Sequence, residues 1–156
     1  MIILGVDPGT ATTGYAIIKS KNRKVGAVEY GCIRTSQKKS DAERLEEIYS
    51  DLAKLIKKYR PQLIAVESVF FYNNVKTAIT VAQARGVILL CARQNKTKIV
   101  EFTPLQVKSS LTGYGKADKQ QVQYMVKALL GLKTIPKPDD AADALALALC
   151  AVNQRY

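Results

Sequence analysis

The pattern of hydrophobic and polar positions along this chain predicts an α/β fold. Three apolar runs open the sequence without an intervening helix, at residues 1–7, 14–19 and 25–34, which favours antiparallel strands. Two later runs, 63–67 and 98–102, predict a fourth and a fifth strand. Helices are predicted at 41–59, at 74–93, from Pro104 to a glycine-containing break at 113–116, after Asp118, and from Pro138 to about Asn153.

The spacing of apolar residues assigns a core face to each long helix. In 41–59 the stripe recurs at three- and four-residue steps, at Leu45, Ile48, Leu52, Leu55 and Ile56. In 74–93 the predicted stripe is Ile79, Ala82, Gly86 and Leu89 or Leu90, and after Asp118 it is Val122, Met125, Val126 and Leu129. Strand–helix–strand steps favour right-handed parallel crossovers. We therefore predict one domain, 1–156, with a five-stranded mixed sheet, an antiparallel hairpin edge and helices on both faces.

Composition points to a polyanionic partner. The chain has 24 Lys and Arg against 13 Asp and Glu, a net charge of +11, which favours nucleic acid first and an acidic membrane surface second. A solvated basic surface without a partner is the plain alternative. We expect no transmembrane helix and no signal peptide. Histidine is absent and the three cysteines are isolated, so any hydrolysis here must depend on carboxylates, Lys, Tyr or a metal ion.

Four carboxylates occupy positions that can converge on one point. Asp7 and Glu67 each end an apolar run, and Asp140 and Asp143 share a helix face. Hard divalent cations need such a set of oxygen ligands. The alternatives are a turn aspartate at position 7 and helix N-terminal aspartates at 139–143. Spacing alone does not choose between Asp139 and Asp140 as the partner of Asp143.

Several motifs of this sequence resemble those of the RuvC family of Holliday-junction resolvases. The segments that resemble it are Gly5-Val6-Asp7-Pro8-Gly9-Thr10, Thr13-Gly14-Tyr15, Gly31-Cys32-Ile33-Arg34-Thr35, Val66-Glu67-Ser68-Val69-Phe70, Gln83-Ala84-Arg85-Gly86, Gln106-Val107-Lys108, Lys119 with Gln121-Val122-Gln123, and Asp140-Ala141-Ala142-Asp143-Ala144-Leu145-Ala146. They follow one another in order across nearly the whole chain. Ser68 departs from the family, which often has Gln there.

The resemblance implies a ribonuclease-H-like fold and an endonuclease that cuts four-way DNA junctions in recombination and repair. It implies that Asp7, Glu67, Asp140 and Asp143 are catalytic and bind two Mg²⁺ ions, with Mn²⁺ as a substitute, and that the products carry 5′-phosphate and 3′-hydroxyl ends. It further implies that Phe70, Lys108 and Lys119 contact DNA, and that the protein works with the RuvA–RuvB branch-migration machinery in a bacterial cytoplasm. The two-fold symmetry of a junction favours a homodimer, with helix 74–93 as a candidate interface.

Three other functions compete with this interpretation. A ribonuclease-H-like nuclease acting on RNA or RNA–DNA hybrids would keep the carboxylates. A non-catalytic protein that binds DNA by its structure would not need all four of them. An actin-like ATPase would use Asp7-Pro8-Gly9-Thr10 as a phosphate loop, but it needs two such domains. Phe70 itself is either a base-stacking residue or part of the core.

Overall fold

The computed structural model describes residues 1–22, 24–68 and 75–153, apart from the side chains of 75–77 and 153. The elements in chain order are β1 (Ile2–Asp7), β2 (Thr12–Lys21), β3 (Lys24–Arg34), α1 (Asp41–Tyr59), β4 (Leu63–Glu67), α2 (Val75–Gln94), β5 (Lys98–Phe102), α3 (Pro104–Thr112), α4 (Lys119–Leu130) and α5 (Asp139–Asn153). No helix within these ranges is long and apolar enough to cross a membrane.

The strands form one mixed sheet in the order β3-β2-β1-β4-β5. The hairpin strands β1, β2 and β3 pair antiparallel, whereas β1–β4 and β4–β5 pair parallel. This confirms the predicted five-stranded sheet with an antiparallel edge. β2 is longer than the predicted 14–19, because it stays paired with β3 from Thr12 to Lys21. The β5, β4 and β1 strands share one direction, so their carboxyl ends meet at one edge.

Helices cover both faces of the sheet, as predicted. Alternate strand residues separate two cores, with Leu4, Val6, Ile64 and Val66 on the face covered by α1 and α2. The intervening residues Ile3, Leu63 and Ala65 face α3, α4 and α5. This two-residue alternation is the expected geometry of strands buried on both sides.

The predicted core face of α1 is confirmed, while that of α2 is wrong except at Leu89, which packs against the core. In α1, Ile48, Leu52 and Ile56 are buried. The core face of α2 is instead formed by Ala84, Ile88, Cys91 and Ala92. α2 carries apolar residues around most of its circumference, so spacing could not separate its inner from its outer face. In α4 the last core contact is Leu130, whereas Leu129, predicted to be inside, is 47% exposed.

The ends of the helices follow the predicted capping residues. Thr103 caps α3 with a reciprocal bond to Gln106, and Asp118 caps α4 in the same way. Gly113 and Gly131 end these helices with φ of 74° and 63°, the left-handed conformation that favours glycine. Asp118 thereby fixes the start of α4, and with it the position of Lys119.

Candidate active site

Asp7 and Glu67 lie side by side at one edge of the sheet. Val6 pairs with Val66 in the parallel β1–β4 ladder, so the carboxylate residues that follow them end adjacent strands. Both also fall on the face toward α5, since Val6 and Val66 face α1 and α2 and neighbouring residues alternate. Both side chains are half-buried. Asp7 is thus not an exposed turn residue, the alternative given for that position.

Two glycines bring α5 close enough to complete this edge. A Cβ atom on Gly14 would lie 2.0 Å from the backbone oxygen of Asp140, and one on Gly5 would lie 2.0 Å from the oxygen of Ala144. Gly14 is the antiparallel partner of Asp7. The first turn of α5 is therefore held against β2 beside the end of β1, and it is the backbone of Asp140 that meets Gly14. Close approach of another backbone is a frequent reason for glycine within a strand.

The carboxylates interact electrostatically. Burial raises the pKa of Asp7 to about 8, and the negative charges of Glu67, Asp143 and Asp140 add to the effect. Burial also raises the pKa of Glu67, followed by the charge of Asp143. The pKa of Asp143 is raised by burial despite its hydrogen bond with Lys119. Raised acid pKa values mean that this cluster holds more negative charge than its own surroundings stabilise.

Two lysines face this cluster from α3 and α4. Lys108 and Lys119 line a cleft of about 250 Å³ together with Glu67 and Asp143. The ammonium of Lys119 lies 3.1 Å from Asp143 Oδ2 and 3.4 Å from Asp139 Oδ2. Burial acts to lower the pKa of Lys119, but the hydrogen bonds and negative charges of Asp143 and Asp139 together outweigh this, and the pKa is raised. Both predicted DNA-contacting lysines are thus beside the carboxylates.

The donor set suits a hard divalent cation, although the side chains are not gathered around an ion. Among the described residues, no group of three or more Asp, Glu, Cys or His side chains lies closely enough to hold a metal as it stands. Lys119 supplies positive charge to Asp143 instead. Binding of a cation by several of these carboxylates would therefore require side-chain movements, and the cation would compete with Lys119 for Asp143. The oxygen-only donor set and the raised pKa values of Asp7, Glu67 and Asp143 fit such a cation.

The loop that follows Asp7 is fixed by three buried threonines. Thr13 Oγ1 donates to the carbonyl of Gly9, and Thr35 Oγ1 donates to the carbonyl of Thr10, both at 2.6 Å. Thr10 Oγ1 donates to the carbonyl of Thr80 in α2 at 2.6 Å. These bonds connect the end of β1 to β2, to the segment after β3 and to α2. The position of Asp7 consequently depends on side chains that line no part of the cleft.

The structure separates the predicted residues into three groups. It brings Asp7, Glu67, Asp140 and Asp143 to one edge, with Lys108 and Lys119 beside them. Phe70 lies outside the described residues, so its role stays a prediction. Asp139 points toward Lys119 and Gln123. Sequence reasoning missed the fixing role of Gln123 and the contact between Gly14 and Asp140. For the contact between Gly14 and Asp140, the only signal in the sequence was a glycine within a predicted strand.

A mixed sheet flanked by helices on both faces, with carboxylates at the ends of β1 and β4 and on α5, defines a nuclease of the ribonuclease-H-like class. The family model described as "Crossover junction endodeoxyribonuclease RuvC" matches residues 3–151. The chain belongs to this RuvC family, and it is accordingly an endonuclease that acts on DNA.

Relatives and solved structures agree with this assignment over nearly the full chain. The crossover junction endodeoxyribonuclease RuvC of Halothermothrix orenii is 56% identical over 153 residues, covering 98% of this chain and 93% of the relative. The structure of Thermus thermophilus RuvC is similar with a TM-score of 0.90 and 34% identity, covering 97% of this chain and 93% of that one. The same protein in complex with a Holliday-junction substrate gives a TM-score of 0.93 at the same identity and coverage. The predicted ribonuclease-H-like fold is thereby confirmed.

Proposed function

We propose that this protein resolves four-way Holliday junctions in DNA by paired, symmetric, metal-dependent nicks. Family membership supports the activity, and the similar T. thermophilus protein is known in complex with a Holliday-junction substrate. The observation that carries the chemistry is the edge where the negative charges of Glu67, Asp143 and Asp140 add to the burial that raises the pKa of Asp7, beside a cleft lined by Lys108 and Lys119.

In this proposal Asp7, Glu67, Asp140 and Asp143 hold two divalent cations, Mg²⁺ with Mn²⁺ as a substitute. Such ions would activate water and stabilise the leaving 3′ oxygen, which leaves 5′-phosphate and 3′-hydroxyl ends. Lys108 and Lys119 line the same cleft from α3 and α4, where an ammonium can contact a phosphate of the strand that is cut. The net charge of +11 supplies affinity for DNA in general.

Two opposed cuts require two active sites, which favours a homodimer. α2 offers a candidate surface, because large apolar residues are exposed on its outer face, with Gln83 between them. Ile79 and Leu90 are 55% and 53% exposed, and Gly86 between them on that face has no neighbour within 4 Å of a Cβ position. The opposite face of α2 packs into the core through Ala84 and Ile88. Cooperation with RuvA–RuvB in a bacterial cytoplasm follows from the family resemblance and stays a prediction.

A nicking assay on an immobile four-way junction tests the proposal, with linear duplex and RNA–DNA hybrid as parallel substrates. We expect Mg²⁺-dependent, symmetric cleavage of the junction alone. Glu67→Gln should lower the rate by several orders of magnitude, while junction affinity stays the same or rises, because a carboxylate near DNA only repels it. Preferential cleavage of the hybrid would replace the proposal with a ribonuclease activity. Tight junction binding without any cleavage would replace it with a structure-specific binding protein.

A further inference from the structure

Asp139 is tied to the active-site lysine by a short chain of polar contacts between α4 and α5. Lys119 begins α4, and Gln123 lies one turn later on the same face. Asp139 begins α5 opposite both of them. Its Oδ2 lies 3.4 Å from the ammonium of Lys119, and its Oδ1 accepts a hydrogen bond of 3.1 Å from Gln123 Nε2. The two oxygens of this carboxylate therefore have different partners.

The burial of Gln123 indicates that this contact is specific. Its side chain is only 9% exposed, and its neighbours Val122 and Val126 belong to the core. A buried amide is costly unless it is hydrogen-bonded, and an apolar residue would fill the position at lower cost. Among the described residues, the other buried polar side chains are Thr10, Thr13 and Thr35, which all fix the loop after Asp7. Buried polarity in this protein is thus concentrated around the candidate active site.

Lys119 needs a second anchor if Asp143 is to serve as a metal ligand. In the structure its ammonium lies 3.1 Å from Asp143 Oδ2, and a cation bound by that carboxylate would compete for this contact. A lysine on a four-carbon stem, 52% exposed, would then be free to point into solvent. Asp139 is already within reach and is itself held in place by Gln123.

We infer that Asp139, fixed by Gln123, is a positioning residue that keeps the ammonium of Lys119 at the cleft when Asp143 engages metal. The inference rests on the proposed function, in which Lys119 contacts the DNA backbone. Asp139 is not a metal ligand in this arrangement, and Asp140 is, because the backbone of Asp140 is the one pressed against Gly14 beside Asp7. Asp139 at the start of α5 would favour the helix dipole as well, but that effect needs neither Gln123 nor Lys119.

A double-mutant cycle on single-turnover junction cleavage tests the coupling. We expect Asp139→Asn to slow single-turnover cleavage roughly tenfold to a hundredfold through misplacement of Lys119. Asp139→Glu should restore part of the rate, and Gln123→Met should reproduce a smaller part of the loss. In the Lys119→Met background, Asp139→Asn should have no further effect. Asp51→Asn, which removes the same charge from an exposed pair with Lys54 on α1, is the matched control and should cut normally.

Thermal unfolding with and without Mn²⁺ gives a readout that does not depend on cleavage. Asp139→Asn should melt within a few degrees of the wild type and keep its stabilisation by Mn²⁺, whereas Asp143→Asn should lose it. Loss of the Mn²⁺ effect in Asp139→Asn would make Asp139 a ligand and overturn the inference. Wild-type cleavage rates in Asp139→Asn, or independent effects of the Asp139 and Lys119 changes, would also overturn it. A wild-type protein that does not cut junctions would instead contradict the proposed function.

Discussion

Asp7 should destabilise the metal-free protein, so Asp7→Asn should stabilise it. Folding raises the pKa of this carboxyl from its ordinary range to about 8, mainly by burial and then by the charges of Glu67, Asp143 and Asp140. The folded protein consequently binds a proton that the unfolded chain releases between about pH 4 and pH 8. Stability therefore falls as pH rises through this interval and stays at the lower value above it. Asparagine cannot ionise and avoids this cost.

The size of the effect follows from the pKa of about 8. At about 1.36 kcal/mol for each pH unit, an acid displaced from its ordinary pKa near 3.9 to about 8 destabilises the folded state by at most roughly 6 kcal/mol above pH 8. Relaxation of the site and water entry reduce such penalties substantially, and we expect about 2 kcal/mol. For a domain of this size that corresponds to roughly 4–8 °C in melting temperature.

The assay is thermal or urea unfolding of wild type and Asp7→Asn in a chelator, at intervals from pH 4 to pH 9. We expect equal stability near pH 4 and a difference that grows until about pH 8. Asp51→Asn, at an exposed ion pair on α1, should show no such growth. Added Mn²⁺ should stabilise the wild type and reverse the order of the two proteins. A variant that is less stable than wild type across the range, or a difference independent of pH, would refute the burial of charge at this position.

Three further predictions concern the elements around the site. Gly14→Ala should displace the first turn of α5, which should lower the free energy of unfolding by about 1–3 kcal/mol and remove most of the cleavage rate. Gly26→Ala, where no atom lies within 4 Å of the added Cβ, should change stability little. Equal unfolding midpoints of the two variants would contradict this prediction. Leu90→Glu should convert a dimer to a monomer, as measured by light scattering, while Leu129→Glu on α4 should leave the dimer intact. A wild-type protein that is monomeric at all concentrations would contradict the proposed α2 interface. Phe70→Ala should slow junction cleavage at unchanged melting temperature; a loss of about 3–5 kcal/mol in stability with normal cleavage would place Phe70 in the core.

The order of strands and helices could be predicted because each element carries a local signal. β1 and β4 are apolar runs that end in a carboxylate. α1 has one clear apolar stripe, and the helix ends just before Arg60 and Pro61. The core face of α2 could not be predicted, because apolar residues such as Ile79 and Leu90 also occupy its exposed side. Tertiary contacts or a partner determine which apolar face of a helix is buried. The spacing of residues within one helix contains neither kind of information.

The choice between Asp139 and Asp140 shows a second limit of local patterns. Both residues share a face of α5 with Asp143, at four- and three-residue steps, and both suit a helix N-terminus. What separates them is the contact of Gly14 with the Asp140 backbone and the bond from Gln123 to Asp139. Each contact joins residues far apart in the chain, so only the folded structure, or the resemblance to a family, distinguishes the two roles.

The position of Lys119 explains how a basic protein tolerates several half-buried carboxylates at one edge before metal arrives. Its ammonium acts to lower the pKa values of Asp7, Glu67 and Asp143, and so offsets part of their mutual repulsion. DNA brings further negative charge to the same cleft, which raises the demand for cations. Lys119 is better able to meet that demand at a phosphate when metal takes over Asp143. Binding of metal and of DNA should accordingly reinforce each other, since each makes the other's electrostatic surroundings more favourable.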